Sequence, residues 1–136
     1  MNDAILIKVL VVHDDPLVCA GLITTLRDQA GFDLVGLCGF GCHACDDPSD
    51  HCPDVVVTDY EHGIELVANA RAQPLRRQSG PHVLIVTTRQ SEREIRHAME
   101  MGARGYLVQG CALIDLVDAV RALGSGLRHV GALAAQ

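Results

Sequence analysis

The chain has 136 residues, of which 49% are apolar and 21% charged, as expected for one globular domain. Its net charge is −6 and it has no block of Lys and Arg, which disfavours a protein that holds nucleic acid through phosphates. Membrane spans are disfavoured too, because no apolar run approaches about 18 residues. The N-terminus lacks a basic leader and a cleavage site, so we expect a cytoplasmic protein with reduced cysteines.

Five short apolar runs are predicted to be β-strands. Three of them, VLVV, VVVT and VLIV, are rich in β-branched residues at successive positions, which is typical of parallel strands buried on both faces. The predicted strands cover residues 5–12, 34–37, 55–58, 83–87 and 105–108.

Helical patterns lie between the predicted strands. Asp15 followed by Pro16 reads as a helix cap and first turn, and Ser91 with Glu94 reads as a capping box. An apolar stripe at helical spacing ends at Gly124. Two further helical segments are predicted over residues 64–71 and, with a proline that should kink it, 42–51.

Alternating strands and helices predict an α/β protein with a doubly wound parallel sheet, whose site lies beyond the carboxyl ends of the strands. Acids and a hydroxyl group at this edge could bind a divalent cation and an anion that bridges to it. The alternative reading, that such residues only end strands and cap helices, is adopted for Asp15. The residues that follow the strands are His13, Asp14, Asp15, Asp59, Thr87, Thr88 and Gln109.

The segments VLVVHDDPLVCAGL, PDVVVTD, VLIVTT and GARGYLVQG together resemble a response regulator receiver domain of the NarL/FixJ, LuxR-type subfamily. The resemblance covers about residues 7–128. It implies a flavodoxin-like, five-stranded parallel sheet with strand order 2-1-3-4-5. It also implies a receiver domain over 1–128 and a tail over 129–136 that begins a linker to an output domain.

The resemblance also implies roles for individual residues. Asp59 matches the aspartate that accepts a phosphoryl group from a histidine kinase. Asp14, Asp59 and the backbone carbonyl of Glu61 match the groups that hold Mg²⁺. Thr87 matches the hydroxyl that contacts the phosphoryl group, and Tyr106 matches the aromatic residue that changes rotamer with the switch.

Three departures from the family pattern affect this pocket. His13 replaces the first acid, and a neutral imidazole is a poor Mg²⁺ ligand. Gln109 replaces a lysine, so a charge-assisted contact to the phosphoryl group is lost. Only three residues separate Asp59 from Gly63, fewer than the family usually has, so the loop that would bring the Glu61 carbonyl to the metal is shortened. We therefore expect weakened Mg²⁺ binding and impaired phosphorylation of Asp59.

A second group of residues, between the second and third strands, has two interpretations. Two cysteines separated by two residues form half of a zinc-site pattern, which suggests a metal or redox site. The alternative is that the cysteines are small buried apolar side chains. The cysteines of this cluster are Cys38, Cys42, Cys45 and Cys52.

Three classes of function remain open, none of them an enzyme. The first is an atypical receiver that regulates an attached or partner helix-turn-helix output, with a histidine kinase or another signalling protein as partner. Homodimerisation is left open, DNA is expected to bind only through an output domain outside this chain, and no membrane partner is expected. The second is a protein-interaction module that works without phosphorylation. The third, a flavodoxin-like cofactor binder, is disfavoured because no phosphate-binding loop follows the first strand.

Overall fold

The computed structural model describes residues 6–38, 53–72, 82–110, 112–127 and 129–130. Strands and helices alternate along most of this chain. The elements are β1 (Ile7–Val12), α1 (Pro16–Arg27), β2 (Phe32–Cys38), β3 (Val55–Thr58), α2 (Tyr60–Ala72), β4 (His82–Thr87), α3 (Glu92–Met101), β5 (Gly105–Val108), α4 (Leu113–Gly124) and β6 (His129–Val130).

The strands form one parallel sheet in the order β2-β1-β3-β4-β5-β6. The predicted order 2-1-3-4-5 is confirmed, and the third and fifth strands have the predicted bounds. A sixth strand, β6, extends the sheet beyond the five expected. Its two residues pair with Gly105 and Tyr106, a contact between distant residues that no local pattern indicates.

The sheet is buried on both faces because helices cover both. Side chains at alternate positions of β1 and β3 pack in a cluster with α1 and α4, and the other side chains of these strands face the α2 side. The Val-rich runs in β1 and β3 are therefore buried on both faces of the sheet, as predicted. The first set is Val9, Val11, Val55 and Val57, and the second is Leu10, Val12 and Val56.

The start of α1 confirms the cap predicted at Asp15. Its Oδ1 atom accepts hydrogen bonds from the amides of Leu17 at 3.0 Å and Val18 at 3.4 Å. Pro16 occupies the first helical position, where a missing N–H costs nothing. The Asp15 side chain therefore caps α1, and the acidic group at the sheet edge comes from its neighbour Asp14.

Helix α2 begins at Tyr60, four residues before the predicted start at residue 64, so that predicted boundary was wrong. The helix follows β3 almost directly, and the amide of Gly63 donates to the Asp59 carbonyl at 2.9 Å. Gly63 also allows a close approach to the sheet, since an added Cβ would lie 2.6 Å from Cγ1 of Ile85. The helix predicted over residues 42–51 lies outside the described residues.

Within the described ranges, none of the helices has both the length and the apolar character needed to cross a bilayer.

Candidate functional site

Asp59 lies between the end of β3 and the first residue of α2, with 7% of its surface exposed. Its Oδ1 atom accepts a hydrogen bond from the amide of His62 at 2.8 Å, and its Oδ2 atom accepts one from the amide of Asp14 at 2.8 Å. A side chain that accepts from the amide three residues ahead is the usual helix cap. Asp59 therefore caps α2 and also anchors the end of β1.

The His62 side chain folds back over the Asp59 carboxylate. Its Nδ1 atom lies 2.9 Å from Oδ2 and 3.1 Å from Oδ1 of Asp59. The same nitrogen lies 3.6 Å from Oδ1 of Asp14. The imidazole thus stands between the two carboxylates that were expected to hold a cation.

The pKa values of both groups shift in the direction of an ion pair. Burial by itself would raise the pKa of Asp59, but hydrogen bonds from His62 and the Asp14 amide outweigh it, and the pKa is lowered. Burial would lower the pKa of His62, but its hydrogen bond to Asp59 and the charges of Asp59 and Asp14 raise it instead. Both shifts favour a carboxylate beside an imidazolium.

Asp14, Asp59 and His62 each offer one ligand atom, and these atoms lie within 4.8 Å of one another. Oδ1 of Asp14 is buried and has no hydrogen-bond partner among the residues that the structure describes. Such an orphaned carboxylate oxygen suits a cation, but Mg²⁺ demands an octahedral shell of oxygen ligands. The third donor here is a nitrogen, so His62 does not fit the oxygen shell of Mg²⁺.

Glu61, whose carbonyl was predicted to complete the Mg²⁺ shell, lies in the first turn of α2. A carbonyl in a helix points toward the C-terminal end, which here is away from Asp59. The Glu61 carboxylate pairs with Arg89 at 2.6 Å. Instead, the side chain of His62, which was not predicted from the sequence, contacts the Asp59 carboxylate. It is the third helical residue after the capping Asp59, and that spacing was the available signal.

His13, at the position of the first acid, is 4% exposed and uses both ring nitrogens. Nδ1 accepts a hydrogen bond from the backbone amide of Asp15 at 3.2 Å, and Nε2 donates one to the Val86 carbonyl at 3.1 Å. These two bonds assign the proton to Nε2. The two ring nitrogens of His13 are therefore both engaged, and the side chain links the end of β1 to β4.

Of the remaining predicted residues, Thr87 and Gln109 lie at the same end of the sheet, whereas Tyr106 lies within β5. Thr87 is buried at the end of β4, and its Oγ1 accepts from the amide of Arg89 at 3.3 Å. Gln109 follows β5, and its backbone N–H donates a hydrogen bond to the Thr87 carbonyl at 2.8 Å. Gln109 also helps line an open cavity between α1 and the start of α4. Tyr106 is 1% exposed, with its ring in the core.

Arg89 organises a cluster that the sequence did not indicate. Its guanidinium group pairs with Glu61 and with Glu94, at 2.8 Å, and lies 4.9 Å from the centre of the Tyr60 ring. Its backbone carbonyl accepts the Tyr106 hydroxyl at 3.0 Å, and the two tyrosine rings meet edge to face. These five residues, the Arg89 cluster, join α2, the β4–α3 connection, α3 and β5. Burial raises the pKa of Tyr106, which keeps its hydroxyl a donor.

Glu94 therefore completes only half of the predicted capping box. Its amide donates to Oγ of Ser91 at 3.5 Å, while its carboxylate binds Arg89 rather than the cap.

The cysteine cluster falls mostly outside the described residues. This holds for Cys42, Cys45 and Cys52, whereas Cys38 is the last residue of β2. Cys19 is free and buried on α1, where burial raises the pKa of its thiol. The metal or redox role of the cluster stays a prediction.

Comparison with known proteins links this fold and site to a signalling family. Residues 9–121 match the response regulator receiver domain family. The chain is 33% identical to response regulator GacA of Pseudomonas aeruginosa and 32% identical to response regulator UvrY of Escherichia coli, in each case over 96% of its length. It covers 61% and 60% of those proteins, so it spans about three fifths of the curated relatives it matches.

A solved structure agrees with these matches. The signal receiver domain of response regulator NarL from Mycobacterium tuberculosis superposes with a TM-score of 0.79 at 25% identity. The alignment covers 90% of this chain and 98% of that domain.

Proposed function

Because the chain belongs to the response regulator receiver domain family, we propose that it is an atypical receiver in which phosphorylation of Asp59 is impaired. The observation that carries this proposal is the His62 imidazole, held 2.9 Å from Oδ2 of Asp59. Receiver domains are signalling modules, and the proposal concerns how this one is switched.

Phosphoryl transfer depends on a free attacking oxygen and on neutralisation of the charge that develops. Both Asp59 oxygens already accept backbone N–H groups, and His62 occupies the remaining approach. A carboxylate with a lowered pKa is also a weaker nucleophile. Gln109 cannot supply the positive charge of a lysine, a loss of roughly 1.5–3 kcal/mol for a charge-assisted hydrogen bond.

Mg²⁺ binding is weakened in this proposal, because a nitrogen lies where an oxygen ligand is expected. In the same proposal Asp14 and Asp59 remain the acids of the pocket, Thr87 the hydroxyl group and Tyr106 the switch residue. The Glu61 carbonyl contributes little, since it belongs to the first turn of α2.

The partners proposed are a histidine kinase or another signalling protein, met in the cytoplasm. The output proposed is transcription, through an attached or partner helix-turn-helix domain that alone contacts DNA. Its support is the kind of relative matched, including the transcriptional regulatory protein LiaR of Bacillus subtilis at 27% identity. Homodimerisation remains part of the proposal without an assigned face.

A second candidate is an interaction module that works without phosphorylation. The contact between His62 and Asp59 also favours this candidate. A carboxylate already paired with an imidazolium resembles neither a free nor a phosphorylated aspartate. Under this candidate, partner binding by an Asp59→Asn variant equals that of the wild type.

Intact mass after incubation with acetyl phosphate and Mg²⁺ tests the proposal. We expect little or no phosphoryl addition to the wild type. A His62→Gln, Gln109→Lys double variant should gain one group, because it frees Asp59 and restores a cation. Adding Asp59→Asn should abolish that gain.

His97→Gln is the matched control, since His97 is an exposed histidine on α3. Efficient phosphorylation of the wild type that Asp59→Asn removes would overturn the impairment while leaving family membership intact.

A further inference from the structure

The ligand atoms of Asp14, Asp59 and His62 are spaced as the ligands of a single metal ion. Nδ1 of His62 lies 2.9 Å from Oδ2 of Asp59 and 3.6 Å from Oδ1 of Asp14. Two ligands that are each about 2.1 Å from one ion lie roughly 3.0–3.5 Å apart in tetrahedral or octahedral geometry. Small side-chain movements would therefore bring all three atoms into a first coordination shell.

Each of the three groups has capacity for a metal. Oδ1 of Asp14 is buried and accepts no hydrogen bond from the described residues, so its lone pairs are available to a metal. Oδ2 of Asp59 accepts the Asp14 amide and contacts the His62 Nδ1 atom, so a metal that replaces the His62 proton would take its second lone pair. Nδ1 of His62 can exchange its proton for a metal, as ligating histidines do.

The donors are also held in place by the fold. The amides of Asp14 and His62 fix the Asp59 carboxylate at 2.8 Å each. His62 follows as the third residue of α2, and its ring lies over that carboxylate. Such orientation of the donors by backbone hydrogen bonds favours metal binding.

We propose that Asp14, Asp59 and His62 bind a divalent transition-metal ion of the Zn²⁺ and Co²⁺ class in preference to Mg²⁺. Imidazole nitrogen beside carboxylate oxygens suits these ions, whereas Mg²⁺ prefers oxygen alone. Three protein ligands leave positions open for water. The inference rests on the pocket of the proposed function, but its test is metal binding and not phosphorylation.

His13 is not a fourth ligand, because its two ring nitrogens are engaged by Asp15 and Val86. The chain carries six cysteines, however, and thiolates bind the same metals. The test must therefore separate an imidazole and carboxylate site from a thiolate site.

Titration of the whole chain with Co²⁺, followed by absorption spectroscopy, makes that separation. We expect one equivalent to give weak d–d bands without a thiolate charge-transfer band. A background with Cys42→Ser and Cys45→Ser should bind the same equivalent. Calorimetry should show Zn²⁺ binding at least about tenfold tighter than Mg²⁺.

Matched variants assign the ligands. His62→Gln and Asp14→Asn should each weaken Co²⁺ and Zn²⁺ binding by roughly tenfold or more, whereas His97→Gln should not. His62 and Asp14 are both partly exposed, and circular dichroism establishes that the variants fold. In NMR spectra, Co²⁺ should perturb the His62 imidazole signals, identified by their loss in His62→Gln, before those of other histidines.

Three results would overturn the inference: no Co²⁺ or Zn²⁺ binding, binding only through thiolates, or equal affinity in the His62→Gln and Asp14→Asn variants. A wild type that binds Co²⁺ through His62 yet is readily phosphorylated with Mg²⁺ would overturn the proposed impairment alone. A wild type that does not bind Co²⁺ through His62 and is not phosphorylated with Mg²⁺ would overturn the metal site alone.

Discussion

His13 and His62 lie at the same edge of the sheet but have different roles. His13 is buried and has a partner for each ring nitrogen, so it is a structural link between β1 and Val86 of β4. His62 is partly exposed and faces two carboxylates. The chemistry of the pocket therefore depends on the histidine that follows Asp59 and not on the one that replaces the first acid.

A third histidine, His82 at the start of β4, makes stability depend on pH. Burial first, and then the charge of Arg104, lower its pKa from the ordinary value of 6.5, with Asp54 opposing in part. The unfolded chain thus binds a proton more readily. Stability attributable to His82 is present above about pH 6.5 and is lost as pH falls through the lower folded pKa.

We expect His82→Gln to lose less stability than the wild type between pH 7 and pH 5. Urea unfolding of both proteins across this range measures the loss, with His97→Gln as control. An unchanged or steeper loss in His82→Gln would contradict a lowered pKa of His82 in the folded protein.

At the scale of elements, α2 is positioned by a glycine that lets its first turn touch the sheet. A Cβ at position 63 would lie 2.6 Å from Cγ1 and 2.9 Å from Cδ1 of Ile85, and 3.2 Å from Cγ2 of Thr58. This contact fixes the distance between α2 and the sheet, and hence the position of His62 over Asp59.

Gly63→Ala should destabilise the protein by about 1–3 kcal/mol, because overpacking outweighs the gain in helix propensity. Gly21→Ala in α1 is the matched control. Its added Cβ meets nothing within 4 Å, so it should stabilise the protein by up to about 1 kcal/mol. Denaturant unfolding measures both.

The clash is tested further by Ile85→Ala, which removes the two atoms that would lie nearest to a Cβ at position 63. In that background Gly63→Ala should cost clearly less, and additive effects would show that Ile85 is not the cause.

At the scale of the whole molecule, the Arg89 cluster connects elements that the sheet alone does not hold together. Arg89 pairs with Glu61 on α2 and Glu94 on α3, while its carbonyl receives the Tyr106 hydroxyl from β5. Tyr106 is thereby held in its buried position.

Arg89→Gln should expose Tyr60 and loosen Tyr106, since the ion pairs and the contact of Arg89 with the Tyr60 ring are lost together. The chain has two tyrosines and no tryptophan, so tyrosine fluorescence reports this cluster directly. We expect stronger quenching by acrylamide and a weaker near-ultraviolet circular dichroism signal. Arg96→Gln, which removes a pair with Glu92 on the surface of α3, should leave both unchanged. Identical spectra for Arg89→Gln and the wild type would contradict this role.

These scales also explain what the sequence could predict. Strands β3 and β5 and the cap at Asp15 follow from local patterns of burial and capping, and they were predicted correctly. The start of α2 was missed because Asp59 was interpreted only as a chemical group, although the same side chain caps a helix. The Arg89 cluster and β6 depend on contacts between distant residues, which no local pattern encodes.

The double role of Asp59 has a consequence for genetic experiments. Alanine at this position removes the proposed acceptor and also the cap of α2, at a cost of about 0.5–2 kcal/mol. Asparagine keeps an oxygen that can cap the helix while removing the carboxylate. A phenotype that alanine shows and asparagine does not therefore reports a weakened helix, whereas a phenotype common to both reports the loss of the carboxylate.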